Sequence, residues 1–478
     1  MKRNNPFITR VCLIALMACS LTVHAENGSS TPVHFLIGGD LSMATYMEDW
    51  GTKFCYADGT SGDVFDILQA YGVTLARLRM YNKPGTPITK GNEIYRTPLI
   101  SARYWGGNGT LYAGPEDILS LAARAKAHHM AICLSIYLSD FWTGAAEQYI
   151  PADWANATST QALGDSVYNY VYRYMSRMVA QGTAPEYVSV GNETNYGILF
   201  NTTNGTRVSY GGHTDNIANT VFLFNKAYDA IKAASPSSQV IIHHSYGDAG
   251  KIAICRSFFQ NLKNNGCRFD IVGGSYYPHW ATQHGAADAT PTGMLAWAAD
   301  MKQSIGKPVM IMEVGYSWDP YKCPARNGGN WPGQLGLNGS YNEASEDGQK
   351  AFIHALHEAI QTDTNIVGYM YWDPIFVDQK HGNENWWNNV CWAEKYSGSG
   401  TTWWNDGNVI SNTTLFDYTG MPLKALYEEM ASRKPEGPTE LTVSPDEGIQ
   451  RVEKVFDGNR LYLLCGDKRY TLDGRLIP

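Results

Sequence analysis

Long apolar runs are scarce in this sequence of 478 residues, and so are charges and paired metal ligands. The extended apolar run at residues 11–23 follows Lys2 and Arg3, is too short to span a bilayer and leads into the small-residue site Val23-His24-Ala25. It reads as a secretory signal over residues 1–25. An alternative reading is a lipoprotein signal over residues 1–18, since Leu16-Met17-Ala18-Cys19 has the form of a box that would lipidate Cys19. Either reading predicts an exported bacterial protein, secreted, periplasmic or anchored at the cell surface. No later stretch is apolar enough to be a membrane span.

Charged residues make up 17% of the chain, and 45 acids against 37 bases leave a mild negative excess. That excludes a basic nucleic-acid-binding surface and a strong field for steering charged ligands. No G-x-G-x-x-G turn follows the first strand-like run, Phe35-Leu36-Ile37-Gly38-Gly39-Asp40, which argues against a dinucleotide site. No Cys or His pair has finger-like spacing, which argues against structural zinc. Of nine cysteines, Cys12 and Cys19 lie in the leader; the other seven are an odd number, so at least one is unpaired. Export permits disulfides, and Cys323 with Cys391 or Cys255 with Cys267 are conceivable pairs between which the sequence does not choose.

Aromatic residues are plentiful by contrast: 12% of the chain, with 14 Trp and 30 Tyr. Many flat rings with little charge favour stacking on uncharged, ring-shaped ligands such as sugars. Trp331, Trp386, Trp387, Trp392, Trp403 and Trp404 fall in late segments rich in Gly and Asn that read as cleft walls.

Short apolar or β-branched runs recur at 35–40, 75–81, 131–137, 187–193, 239–244, 271–277, 308–314 and 366–372. Amphipathic stretches with helical spacing lie at 63–71, 115–129, 165–181, 218–234, 295–304, 345–362 and 421–433. Such alternation implies parallel strands with right-handed crossovers. Eight units between residues 33 and 434 predict an α/β fold, a (β/α)8 TIM barrel with enlarged late loops. Lys434-Pro435-Glu436-Gly437-Pro438 reads as a linker, and residues 439–478 as a small C-terminal β appendage or a sorting tail.

A barrel of this kind carries its site at the C-terminal strand ends. Asp40, Arg77, Arg79, Tyr137, Asn192, Glu193, His243, His244, Tyr276, Tyr277, Glu313, Trp372 and Asp373 fall there. Val188-Ser189-Val190-Gly191-Asn192-Glu193 is a strand that stops at a glycine and presents an acid; Val309-Met310-Ile311-Met312-Glu313 is a second strand ending in one. Glutamates at the tips of the fourth and seventh strands face each other across the barrel mouth. Retaining hydrolysis of a glycosidic bond needs such a pair, roughly 5 to 5.5 Å apart, one as acid and one as nucleophile.

At several separated points between about residues 38 and 426 the chain resembles the endo-β-1,4-galactanases of glycoside hydrolase family 53. They are Gly39-Asp40; Arg77-Leu78-Arg79; Ser139-Asp140-Phe141-Trp142 with Gln148, Pro151 and Trp154; Gly191-Asn192-Glu193; Asp270 with Ser275-Tyr276-Tyr277-Pro278; Glu313-Val314-Gly315-Tyr316; Tyr371-Trp372; and Leu415-Phe416-Asp417 with Gly420 and Leu423. The resemblance implies retaining endo-hydrolysis of β-1,4-galactosidic links in pectic galactan or arabinogalactan. It makes Glu193 the acid/base and Glu313 the nucleophile, and implies substrate-side roles for Asp40, Arg77, Trp142, Asn192, Tyr277 and Trp372. Among these, Asn192 bonds the sugar 2-hydroxyl, Arg77 and Tyr277 act on the nucleophile carboxylate, and Trp372 is the stacking floor. Arg79 reads as a structural ion-pair partner. The two-carboxylate reaction requires no cofactor.

The chain departs from the family pattern at two points. Tyr137-Leu138 stands where the family has His-Tyr before Ser-Asp, so a histidine is missing from the site. Trp318-Asp319-Pro320-Tyr321-Lys322-Cys323 offers a single acid where several members carry a calcium loop, so no calcium is expected there. Asp378, His381 and Asn383 form another oxygen-rich loop that reads as solvated. The expected partner is a β-1,4-linked polysaccharide. The alternatives are a retaining β-mannanase or β-xylanase of the same clan, and a surface glycan-binding barrel without turnover.

Overall fold

The computed structural model describes most of residues 33–434 and the strands between residues 452 and 477. Residues 1–32, 97–110, 201–206, 321–343, 403–410 and 435–451, with shorter stretches among them, lie outside the description. Eight parallel strands close into a barrel: β1 Leu36–Asp40, β2 Leu75–Met80, β3 Ala131–Ile136, β4 Tyr187–Val190, β5 Gln239–His244, β6 Ile271–Tyr276, β7 Val309–Val314 and β8 Ile366–Tyr371. These are the eight runs read from the sequence, and β1 closes the ring on β8 through Leu36 opposite Gly368.

The helices between them are α1 Val64–Ala70, α2 Pro115–Ala127, α3 Thr160–Ala180, α4 Ile217–Ala234, α5 Ile252–Asn264, α6 Pro291–Ile305 and α7 Glu346–Gln361. Their ends follow from local chemistry. The Ser159 hydroxyl accepts from Ala162 N at the start of α3, and that of Ser345 from Gly348 N at the start of α7. Helix α6 opens on Pro291 and stops at Gly306 in the left-handed region. No helix is expected from the sequence where α5 lies, because its buried positions, Cys255, Phe259 and Leu262, make a thin apolar stripe. The last expected helix, 421–433, contains a π-helical segment, Ala425–Met430.

Alternate residues of each barrel strand point inward. Leu75, Cys133, Ile241, Ile271, Met310, Met312 and Met370 pack as one apolar layer, distinct from the main core between sheet and helices. Toward the C-terminal ends the same faces turn polar, with Asp40, Arg77, Ser135, Ser189, His243 and Ser275 all buried. Strand β7 breaks the alternation. Its pairing with β6 runs in step to Gly274 opposite Ile311, then shifts so that Ser275 opposes Glu313. Met312 is the extra residue of a bulge, and bulges re-aim the side chains beside them. Met312 thus packs in the lumen while Glu313, its neighbour, also reaches the mouth.

Residues Pro435–Pro478 form a second compact unit. It holds an antiparallel meander of Val452–Asp457, Arg460–Cys465, Lys468–Tyr470 and Leu476–Ile477, so the tail carries β structure.

Cys255 and Cys267 are both free thiols, so the conceivable disulfide between them is not formed. The Cys255 thiol instead faces the Tyr246 carbonyl at 3.2 Å. Cys19, Cys323, Cys391, the calcium-loop positions from Tyr321 onward, Asp378, Asn383, and Trp331, Trp392, Trp403 and Trp404 lie outside the described residues. Trp386–Trp387 pairs with Lys380–His381 as a short antiparallel ladder.

Gly274 lies where the β6–β7 register shifts, and a Cβ there would stand 2.7 Å from the Trp297 ring and 2.9 Å from Gly247 Cα. Gly274→Ala is expected to destabilise the fold by about 1–3 kcal/mol. The check is a lower urea midpoint with unchanged slope; an unchanged midpoint would mean that β6 yields freely at this point.

Candidate active site

Strand β4 ends at Val190, and Gly191 follows with φ +77°, a conformation that L side chains rarely adopt. A Cβ at Gly191 would also stand 2.6 Å from Thr194 Cγ2. Glu193 itself has φ +48°, which for a non-glycine residue costs on the order of 1–3 kcal/mol. The turn is held from several sides. Gly191 N donates to Ile136 O (2.7 Å), Thr194 N to His243 O (2.6 Å), and Gln148 Nε2 to Asn192 O (2.9 Å). Leu138 and Asp373, just past β3 and β8, share this left-handed backbone. Strain is therefore gathered around the mouth.

The two glutamates are held differently. Glu313 Oε1 accepts from Arg77 Nη1 at 2.9 Å, and its Oε2 accepts from the Tyr277 hydroxyl at 3.1 Å. Glu193 Oε1 accepts from Ser275 Oγ at 3.0 Å. Behind Ser275, His243 Nε2 lies 2.9 Å from the same hydroxyl oxygen, and His243 Nδ1 accepts from Glu193 N at 3.4 Å. An accepting Nδ1 leaves the proton on Nε2, so the imidazole donates to Ser275 and Ser275 donates to Glu193. The neutral ring this requires matches its surroundings, since burial, then Arg77 and His244, push the imidazole well below its ordinary range.

One atom each from Glu193, His243 and Glu313 lies within 4.8 Å of the others. The carboxylates are thus at the separation of a retaining pair rather than the roughly 6.5–9.5 Å of an inverting one. Burial, then the charge of Glu313, push the Glu193 carboxyl up to about 8, against the Ser275 hydrogen bond and Arg77. By distance alone the trio could grip a cation. Each ring nitrogen of His243 is already engaged, however, and the Arg77 charge sits on Glu313.

Arg77 ties the site together. Nε donates to Ser135 Oγ (3.1 Å), Nη1 also to Met312 O (3.1 Å), and Nη2 to Asn192 Oδ1 (3.0 Å). The other end of the Asn192 amide donates to Thr143 O at 2.8 Å. The Trp372 ring lies over both guanidinium groups, 5.2 Å from Arg77 and 4.4 Å from Arg79. Arg79 pairs with Asp40 at 3.1 Å and with Asp373. Burial pushes the Asp373 carboxyl up, against the pull of Arg79.

The structure therefore gathers Arg77, Asn192, Glu193, Tyr277, Glu313 and Trp372 at one mouth. Asp40, expected among the substrate contacts, lies wholly buried below it. Its Oδ1 accepts from Ser42 N and Oγ and its Oδ2 faces Arg77 and Arg79, so it anchors the two arginines. Trp142 is half-buried beside Gly144 on the loop after β3. His244 packs outward against Phe258 and Phe259, while His243 faces the mouth. Tyr276 also points outward, its hydroxyl donating to Ala289 O at 2.8 Å. Tyr137, at the place of the missing histidine, is buried with its ring edge-on to Tyr81 at 5.0 Å. Sequence reasoning missed the individual role of Ser275. Strand parity could have found it, because Ile271 faces the lumen and so Ser275 and Tyr277 must too.

The sequence matches the family model described as "Glycosyl hydrolase family 53" over residues 36–428. It is 27% identical over 406 residues to the endo-β-1,4-galactanase of Bacillus subtilis, covering 82% of this chain and 84% of that one. It is 27% identical over 413 residues to the arabinogalactan endo-β-1,4-galactanase of Cellvibrio japonicus, covering 85% and 93%. Among solved structures, a family 53 catalytic domain from Ignisphaera aggregans superimposes with a TM-score of 0.65 at 26% identity, covering 86% of this chain and 99% of that one.

Between the ordinary carboxyl value of 4.5 and about 8, the folded chain holds a proton that the unfolded chain has released, so Glu193 makes stability fall as pH rises. Glu193→Gln is expected to remove that fall, with its advantage over the parent growing from pH 5 to pH 9 in urea titrations. Ser275→Ala removes a bond that lowers the value and is expected to move the Glu193 midpoint further up, read from carboxyl carbon shifts. A downward move would contradict the assigned hydrogen bond.

Proposed function

The chain belongs to glycosyl hydrolase family 53, and on that premise we propose that it is an exported endo-β-1,4-galactanase that cleaves internal links of pectic galactan with retention. The observation that carries the reading is the pair of glutamates within 4.8 Å of each other, one bound to a guanidinium and the other pushed up to about 8.

In the first step Glu313 attacks the anomeric carbon while Glu193 gives its proton to the departing glycosidic oxygen. Arg77 and Tyr277 keep the nucleophile aimed, one on each oxygen. Forming the glycosyl ester removes the Glu313 charge, which is one of the causes raising Glu193. Glu193, its proton already given to the leaving oxygen, thereby stays a carboxylate that can take a proton from the incoming water. Asn192, oriented by Arg77 and Thr143, is assigned to the sugar 2-hydroxyl. Trp372, whose ring meets both the Arg77 and Arg79 guanidiniums, is assigned as the floor under the sugar at the cleavage point. No cofactor enters these steps.

The names of the Bacillus and Cellvibrio relatives support galactan over mannan or xylan as substrate. Lys2, Arg3 and the apolar run at 11–23 support export. No helix among the described residues is long and apolar enough to cross a membrane. Sequencing the mature N-terminus distinguishes cleavage after Ala25 from lipidation at Cys19.

Purified protein is expected to release new reducing ends from β-1,4-galactan and not from mannan or xylan; mannan cut while galactan is untouched would overturn the substrate assignment. Glu313→Ala is expected to lower kcat on the order of 10⁴-fold or more while galactan binding stays measurable by calorimetry. A variant with near-parental turnover would remove Glu313 from the mechanism. Because the acid must be protonated, kcat/KM should fall as pH rises through about 8. Tight galactan binding without turnover would favour the glycan-binding alternative.

A further inference from the structure

Single exposed apolar side chains are ordinary, but Tyr196 is unusual in where it is and how it is held. It follows Glu193 by three residues and is 49% exposed. The other exposed large hydrophobic residues among those described, Tyr172, Val179 and Ile254, lie on the outer helices α3 and α5. Tyr196 instead stands in the loop after β4, and in the closed barrel β4 lies across from β8, the strand that Trp372 follows.

Its position is fixed from both directions. On the N-terminal side, Asn195 and Ser245 exchange hydrogen bonds, Asn195 Nδ2 to Ser245 Oγ at 2.5 Å and Ser245 N to Asn195 Oδ1 at 2.7 Å. On the C-terminal side, Tyr196 O accepts from Thr214 N at 2.8 Å, and Gly197–Ile198 pairs antiparallel with Gly212–His213. The phenol ring lies parallel to the His213 ring, with centroids 6.1 Å apart and 3° between planes. His213 is itself held edge-on by Phe200 at 4.7 Å and by Asp215 at 2.6 Å. Tyr246 is near enough to feel both ends of this stretch, its phenol being raised by burial and then by Tyr196, Cys255, Glu193 and Asp248. A flat ring left open yet held rigid loses little entropy when a ligand stacks on it.

We propose that Tyr196, steadied by His213, is the platform for the galactosyl residue on the leaving-group side of the cleavage point. The proposal rests on the galactanase reading and adds a subsite to it. Trp372 floors one side of the glutamate pair; Tyr196 floors the other, next to the acid that protonates the leaving oxygen. The axial 4-hydroxyl of galactose leaves one apolar face clear, running from C3 to C6, and that face matches a phenol. The platform also acts after the first step. A sugar resting on it presents a hydroxyl to the glycosyl-enzyme; the new C1–O bond forms as the bond to Glu313 breaks, and the hydroxyl proton passes to Glu193. The enzyme thus transfers as well as hydrolyses.

Two substrates separate this from other roles: β-1,4-galactan, which occupies both sides, and a β-1,4-galactotriosyl fluoride, whose leaving group is too small to reach the platform. Tyr196→Ala is expected to lower the ratio of kcat/KM for galactan to that for the fluoride about tenfold. The fraction of glycosyl-enzyme captured by added galactobiose should fall with it, and Tyr196→Phe should keep both. Equal losses on the two substrates, or no change in either ratio, would overturn the platform while leaving the galactanase reading in place. A parent enzyme inert on both substrates would overturn the galactanase reading and the platform together.

Discussion

A guanidinium buried away from water must find oxygen along all its edges, or the fold carries an uncompensated charge at a cost of several kcal/mol. Arg77 finds them on Asp40 at the end of β1, Ser135 on β3, Asn192 after β4, and Met312 and Glu313 on β7, with the Trp372 ring of the β8 tip above it. One cation thus registers five neighbouring strand ends against each other. Glu313 cannot move without unpairing it, and neither can the Asn192 amide. Asp40, which makes no approach to the cleft surface, belongs to the same unit because it balances the charges of both arginines.

The site works through an asymmetry between two like residues. Glu313 receives the cation and a phenol; Glu193 receives a serine hydroxyl and a neutral histidine behind it. Burial and the nearby charge of Glu313 push the Glu193 carboxyl up to about 8, so two identical side chains meet different surroundings. The backbone strain at Glu193 fits this division. A left-handed residue after Gly191 turns the acid into the mouth instead of letting it continue along the strand, and bonds from three neighbouring segments hold the turn.

The barrel was legible because its strands, covered on both faces, read as short apolar runs at regular intervals, and because helices fill the gaps. The glutamates at residues 193 and 313 were legible for the same reason, each closing such a run. Three features were harder to read. Parity counted from Met310 and Met312 would turn Glu313 toward the helices; only the Met312 bulge, a matter of pairing between β6 and β7, brings it inside. Asp40 looked like a tip residue, yet two buried arginines draw it under the floor. Helix α5 escaped because a few buried residues suffice where a helix only lies against the barrel. The Ser275–His243 link lay within reach, since counting inward positions along β5 and β6 picks out both.

The central claim is that the close pair of glutamates produces two successive inversions at the anomeric carbon. Proton NMR during the first minutes of galactotetraose cleavage tests it directly, because the anomers of the new reducing end have separate signals and interconvert slowly. The β anomer is expected to form first, with the α anomer growing in only as mutarotation proceeds. Initial release of the α anomer would mean a single displacement by water and would contradict the roles assigned to Glu193 and Glu313.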